Sequence, residues 1–325
     1  MKIKIASIYL ILAGVMACSS GNKVSDSNTE ETADIIEESA IPAQAALFNA
    51  DSAYYNVEKQ VNFGPRVPGS ASHKACGEWL AEQLGAKGSK VTIQDTLLHA
   101  FDGTRLPTRN ILGQFNPQKS DRILLVAHWD TRPWADQDPN PENRDKPVPG
   151  ANDGASGVGV LLEVARVLGT AGVDKGIDIL FVDSEDYGSE GDEESWALGA
   201  RAFVENPPIA GYKPERVILL DMVGGKGSTF RREMFSAYNA GNLLDAVWTA
   251  ASRAGHSDLF VNHPGGGITD DHVEFLKAGI PAIDIIALTD NGFLSTWHTL
   301  SDNMENIDRE VLKAVGRTVL AYLYQ

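Results

Sequence analysis

The chain is expected to fold as an α/β domain with a mixed, mostly parallel central sheet flanked by helices, and three features of the sequence lead there. Short β-type runs alternate with helical ones along most of its length. Several of these runs, such as Ile123-Leu124-Leu125-Val126 and Ile179-Leu180-Phe181-Val182, are apolar throughout, as strands covered on both faces require. Polar residues gather just after them, where loops converge above the carboxyl ends of parallel strands.

In chain order, the first residues read as an export signal. Lys2 and Lys4 precede an apolar stretch from Ile5 to Val15 that is too short to span a membrane as a mature helix. Val15-Met16-Ala17-Cys18 resembles the bacterial lipobox, which implies cleavage after residue 17 and a lipid on Cys18. An ordinary secretory signal, or a buried cysteine, is the alternative. Residues 18–46 are rich in Ser, Asn, Asp, Glu and Thr, with too little apolar surface to offset their ordering entropy, and are expected to form a disordered tether. Residues 47–325 then form a single catalytic domain. Within it, strands are expected at 90–98, 109–115, 122–128, 177–183, 216–222 and 280–288. Helices are expected at 71–84, 157–168, 196–204, 243–254, 271–277 and 309–324.

Composition narrows the function. The chain has 325 residues, 43% of them apolar, enough for a large buried core. With 28 basic and 44 acidic residues its net charge is −16, which argues against nucleic acid or an anionic membrane surface as a partner. The only cysteines are Cys18 and Cys76, so any metal must be held by His, Asp and Glu.

Three strand ends carry such residues: His128-Trp129-Asp130, Asp183-Ser184-Glu185-Asp186, and Asp221. Acidic groups that converge without basic partners need protons or a cation to coexist, and a divalent metal is the natural candidate. Catalytic zinc takes three His or carboxylate ligands and leaves one position open; Asp153, Asp186 and His298 would supply that set. Singly, each residue has an ordinary alternative. Asp153 could mark a tight turn, Glu185 and Asp186 a solvated loop, His128 a core histidine and His298 a structural one. Their joint occurrence carries the argument.

That joint pattern is His128-x-Asp130, Asn152-Asp153-Gly154-Ala155-Ser156-Gly157, Glu185-Asp186, Asp221 and Trp297-His298, in this order. It resembles the zinc aminopeptidase superfamily, with its phosphorylase/hydrolase-like fold, which includes the glutaminyl cyclases. The resemblance implies that Asp153, Asp186 and His298 bind zinc and that Glu185 is the catalytic acid/base. It also implies that His128 and Asp221 stand where aminopeptidases complete a second zinc site. One zinc is expected, a second is possible, and His128 with Asp130 is expected as an outer support or vestigial second site.

Two stretches favour the cyclase branch. Ser295-Thr296-Trp297-His298 and Thr269-Asp270-Asp271-His272 both resemble the signature of bacterial-type glutaminyl cyclases. The resemblance then implies that Trp196 and Trp297 wall the substrate pocket and that Asp221 and Asp270 share protons with Glu185. Trp134, like these two, could equally be core packing. The substrates would be peptides or proteins that begin with Gln, converted to pyroglutamate with release of ammonia. The chain is expected to act as a monomer, exported and lipid-anchored at the periplasmic face or cell surface of a bacterial membrane. A di-zinc aminopeptidase is the alternative, and a non-catalytic zinc-binding lipoprotein a weaker one. The long segment 132–148, rich in Pro, Asp and Asn, is expected as a lid, and the acidic run 190–194 as a solvated loop. His73, His99, His256 and His263 carry no usable pattern.

Overall fold

The computed structural model describes residues 41–325; the export signal, Cys18 and the tether as far as residue 40 lie outside the described residues. The domain begins earlier than expected. A 3-10 turn at Ala43–Leu47 buries Ala45, and Phe48 enters the core directly after it. Gly316 makes room for Phe48, since a Cβ there would lie 2.0 Å from its ring. Residues 43–46 therefore belong to the domain and not to the tether.

The strands are β1 (Lys90–His99), β2 (Arg105–Phe115), β3 (Arg122–His128), β4 (Gly176–Val182), β5 (Arg216–Asp221), β6 (Phe230–Arg232), β7 (Phe260–Pro264) and β8 (Ala282–Ile286). Six of them form one sheet in the order β1-β2-β4-β3-β5-β8. β1/β2 and β2/β4 are antiparallel, whereas β4/β3, β3/β5 and β5/β8 are parallel. The expected mixed, mostly parallel sheet is observed, and its parallel half carries the site.

The helices are α1 (Ala50–Val61), α2 (Ala71–Ala86), α3 (Ala155–Ala171), α4 (Leu198–Glu205), α5 (Met234–Asn239), α6 (Gly241–Arg253), α7 (Asp271–Lys277) and α8 (Arg309–Leu323). They cover both sheet faces. Ile123, Leu125 and Ala127 of β3 pack with α3, α6 and α8, while Leu124 and Val126 pack with Phe203 of α4 and Phe275 of α7. Alternate side chains of one strand thus enter two cores, which is why the strand reads as uninterrupted apolar sequence. Truncating one, as in Leu125→Ala, is expected to cost about 2–5 kcal/mol.

The expected strands and helices occur with ends shifted by a few residues. Sequence periodicity gave no sign of α1, because two of its four buried residues, Asn56 and Gln60, are polar. Gln60 is satisfied inside the protein by the carbonyls of Asn56 and Ala155. Helix α5 and the small β6/β7 sheet were also unanticipated; that pair is held by a few residues, with Phe230 and Phe260 in ring contact at 4.8 Å.

Candidate active site

Every predicted site residue of the domain arrives at the carboxyl edge of the sheet. His128 ends β3, Glu185 and Asp186 follow β4, and Asp221 ends β5. Asp153 sits just before α3, Asp270 caps α7 by accepting from the Asp271 amide, and His298 lies in the loop after β8. His128 Nε2 is 3.0 Å from Asp153 Oδ1 and 3.2 Å from Asp221 Oδ1. His298 Nε2 is 3.2 Å from Asp186 Oδ1 and 3.7 Å from Asp153 Oδ2. Asp153 therefore turns one oxygen to each imidazole and links the two groups. Gly154 permits this closeness, since a Cβ there would meet the His128 backbone at 2.4 Å and its ring at 2.5 Å.

A set of buried groups fixes these side chains. Asp130 accepts from the amides of Glu185 and Asp186, both at 3.2 Å, and lies 3.5 Å from His128 Nδ1. Asp302 accepts from the amides of Asn152 and Asp153 at 2.7 and 3.1 Å. Arg66, fully buried, donates to the carbonyls of Trp129, Pro149 and Gly150. His73 stacks on Trp129 and pairs at 2.8 Å with Asp183, whose carboxylate also receives the Ser184 and Arg109 amides. Ser184, Met222 and His298 hold left-handed backbone at φ 56°, 48° and 52°. Each costs on the order of 1–3 kcal/mol outside glycine, and all three lie at or beside the residues being aimed.

Residues 132–148 are not the expected lid. None of them lines the cleft, and the segment is closed on itself by Ala135–Lys146 and Val148–Arg132 backbone bonds. It braces the His298 loop instead. The Gln137 amide donates to the His298 carbonyl, Asp138 accepts from the Leu300 amide, and Asp136 Oδ1 is 3.4 Å from His298 Nδ1. Arg132 grips both oxygens of Asp136 at 2.9 and 2.6 Å and donates to the carbonyls of Asp186 and Gly188. Its guanidinium lies between the rings of Trp134 and Trp196, 5.0 and 4.9 Å from their centroids.

The cleft has a volume of about 400 Å³ and brings Asp153, Asp186 and His298 together with Glu185, Asp221 and Asp270. Trp196 and Trp297 form part of its wall, with Trp297 stacked on His298 at 3.8 Å and Trp196 near-parallel to it at 6.2 Å. His128 and Asp130 stay buried behind it, and Trp134 packs outside it against Tyr187 and Phe101. The acidic run is more than a solvated loop, since Glu190 and Glu193 line the cleft.

Burial raises Glu185 well above its ordinary value, with Asp186, Asp270 and Asp271 adding to the effect and His128 opposing it. Asp221 is pushed up to about 7, first by burial and then by Asp270. For His298 burial favours the neutral ring, but Asp186, Asp136 and Asp153 prevail and bring it to about 9. Asp153 is buried too, yet His128 and His298 hold it below the usual carboxylate range.

The donor set fits a divalent metal. Asp153, Asp186 and His298 are buried, and each offers one ligand atom within 4.8 Å of the others; His128, Asp153 and Asp221 do the same. Asp186 Oδ1 has no hydrogen-bond partner, as an atom reserved for a cation would not. Sequence reading missed Arg132, Asp136, Asp302 and the His73–Asp183 pair. The i, i+4 spacing of Arg132 and Asp136 was the one available signal.

Residues 110–323 match the model of peptidase family M28. The glutaminyl cyclase of Bacteroides thetaiotaomicron bound to N-acetylhistamine is 48% identical, with a TM-score of 0.85 over 88% of this chain and 99% of that one. The glutaminyl cyclase of Porphyromonas gingivalis is 53% identical, with a TM-score of 0.84 over 85% of this chain and 98% of that one. The aminopeptidase YwaD of Bacillus subtilis is 30% identical over 309 residues, 89% of this chain, and the chain spans 59% of YwaD's length. With the fold, the carboxyl-edge site and the family match in agreement, the chain belongs to peptidase family M28.

Proposed function

We propose that the chain is a zinc-dependent glutaminyl-peptide cyclotransferase that converts an N-terminal Gln to pyroglutamate. The observation that carries this reading is Glu185, a carboxyl kept protonatable by burial, beside the Asp153–Asp186–His298 group in a cleft walled by Trp196 and Trp297. The likeness to cyclase structures at about half identity supports it. In the reaction the substrate's α-amine nitrogen bonds to its own side-chain amide carbon, the carbon–nitrogen bond of that amide breaks, and ammonia leaves. The nucleophile belongs to the substrate, so no water has to be activated.

Asp153, Asp186 and His298 would hold one zinc, which when bound supplies Lewis acidity toward the amide oxygen. Glu185 takes the proton released by the attacking amine and returns it to the departing nitrogen, a task suited to a carboxyl that burial has raised above its ordinary value. Asp221 and Asp270 hold the charge around Glu185 by sharing protons with it and with the substrate amide. Trp196 and Trp297 confine the Gln side chain and exclude water. His128, with Asp130 behind it, keeps Asp153 aimed.

One observation favours a second reading. The Asp153 carboxylate joins two metal-competent groups, the arrangement a di-zinc aminopeptidase would use. Mass spectrometry of a Gln-initiated peptide incubated with zinc-loaded protein separates the two. Loss of one ammonia from an intact chain is expected; release of the first residue would make the chain a peptidase. The signal at 1–17 and a lipid on Cys18 complete the proposal, placing the enzyme on a bacterial membrane at the periplasmic face or cell surface, where exported proteins that begin with Gln would be its substrates.

A further inference from the structure

We infer that the cleft selects peptides whose second residue is Lys or Arg, through Glu190 and Glu193. This inference rests on the reading of the cleft as a site for peptide N-termini. Both glutamates are exposed, and both line the cleft that contains Glu185, Asp186 and Asp270. They are carried on a tight turn rather than a loose loop. The Asp192 amide donates to the Ser189 carbonyl, and Gly191 takes the left-handed conformation, at φ 83°. The Ser195 hydroxyl receives the Ser189 amide and donates to the Asp192 carbonyl.

Their neighbour Glu194 shows what an occupied glutamate looks like here, with Arg201 at 3.2 Å and Lys277 at 3.1 Å. Arg201 and Lys277 are committed to Glu194 and Glu274. Among the described residues no Lys or Arg pairs with Glu190 or Glu193, and none lines the cleft. Deeper in the same cleft stand Asp186 and Asp270, so acidic groups line it from the mouth inward. The other lining is apolar, with Phe235, Ile268 and Phe293.

With the first residue seated beside Glu185, the next side chain leaves through the mouth. A lysine or arginine lays an aliphatic stem along the apolar lining and brings a cationic head to the free glutamates. An acidic second residue meets like charge there and is disfavoured.

The test is competition between peptides that differ only at the second residue, Lys, norleucine or Glu, followed by mass spectrometry at low and high salt. We expect the Lys peptide to react roughly tenfold faster than the Glu peptide at low salt, as two exposed charge interactions allow, and the ratio to shrink as salt screens them. The Glu190→Gln/Glu193→Gln double variant should bring the ratio near one, while Glu194→Gln should keep it. An unchanged ratio in the double variant, or norleucine equal to Lys in the wild type, overturns the inference. Binding of the same peptides to Glu185→Gln, measured by calorimetry, reads the selectivity without turnover. Loss of the cyclase reaction would therefore count against the proposed activity alone, and the binding ratio would still decide this inference.

Discussion

On the His298 side of the cleft Asp136, its side chain 32% exposed, lies beside His298 and is gripped on both oxygens by Arg132, and these two partners hold it well below the usual carboxylate range. On the Asp270 side Asp270, Asp271 and Asp284 are fully enclosed, and burial drives Asp271 and Asp284 well above that range. The same residue type is lowered by its partners at Asp136 and raised by burial at Asp271 and Asp284. A charged, paired wall suits metal ligands, which must be deprotonated to bind. Carboxyls raised by burial suit proton sharing, because each holds a proton more readily than an ordinary carboxylate and can pass it on. Glu185 stands where the two meet, 4.0 Å from His128 and raised by Asp270 and Asp271.

The largest expected effect follows from that position. Glu185→Gln keeps the shape and removes the proton carrier, so kcat should fall by about 10²–10⁴-fold. Metal content by elemental analysis should not change. Loss of the metal as well would place Glu185 in the paired wall and erase the distinction.

A second experiment separates the two imidazoles. His298 faces the open cleft, and its neighbour Asp186 has an oxygen without a partner; His128 is enclosed, its Nε2 already between Asp153 and Asp221. In chelator competition, His298→Gln should lose zinc beyond the roughly 100-fold that outer partners carry, and His128→Gln should remain within it. Equal losses would mean that both groups bind metal tightly and would favour the di-zinc reading.

Most of the frame of this site was legible in the sequence, for physical reasons. Strands buried on both faces write continuous apolar runs, and their polar ends mark the rim, so His128, Glu185, Asp186 and Asp221 could be placed before any geometry. The brace could not. Arg132 and Asp136 lie in a Pro-rich segment whose length suggests a lid, and only folding shows it closed on itself and turned to His298. Residues 190–194 misled in the opposite direction, because an acidic run reads as solvated whether or not a cleft opens beside it. Asn56 and Gln60 hid α1 by placing polar residues on its buried face.

Glu233 sharpens the comparison from within the Asp270 side, as the acid there that stays ionised. Burial opposes its charge, but His272 at 3.3 Å, the Ser236 hydroxyl and the amides of Phe235, Ser236 and Ile268 bring it from 4.5 down to about 2. A carboxyl lowered on folding stabilises the protein above its unfolded value and loses that contribution as pH falls through the folded one. The window is therefore from about 4.5 to about 2. Glu233→Gln should cost roughly 3 kcal/mol near neutral pH in denaturant titration, with the gap to wild type closing as pH falls through that window. Asp284→Asn should show the opposite trend, because a carboxyl raised on folding costs stability as pH rises above its unfolded value and the amide removes that cost. A pH-independent deficit for Glu233→Gln would mean that the charge is not what the amide donors and His272 hold.

The smallest effect concerns the brace itself. Arg132→Lys keeps the positive charge and loses the planar fork, so one ammonium must replace a guanidinium that grips both Asp136 oxygens and two carbonyls while lying between Trp134 and Trp196. If charge alone keeps Asp136 ionised, lysine suffices and zinc affinity is unchanged. If orientation matters, Asp136 swings away from His298 Nδ1, the ring loses the partner that fixes which nitrogen faces the cleft, and zinc affinity falls by about 10-fold, the low end for such outer partners. We expect the second outcome in chelator competition, with Asp136→Asn showing a similar loss. The two losses should not add in the double variant, because both substitutions break one chain of contacts from Arg132 through Asp136 to His298.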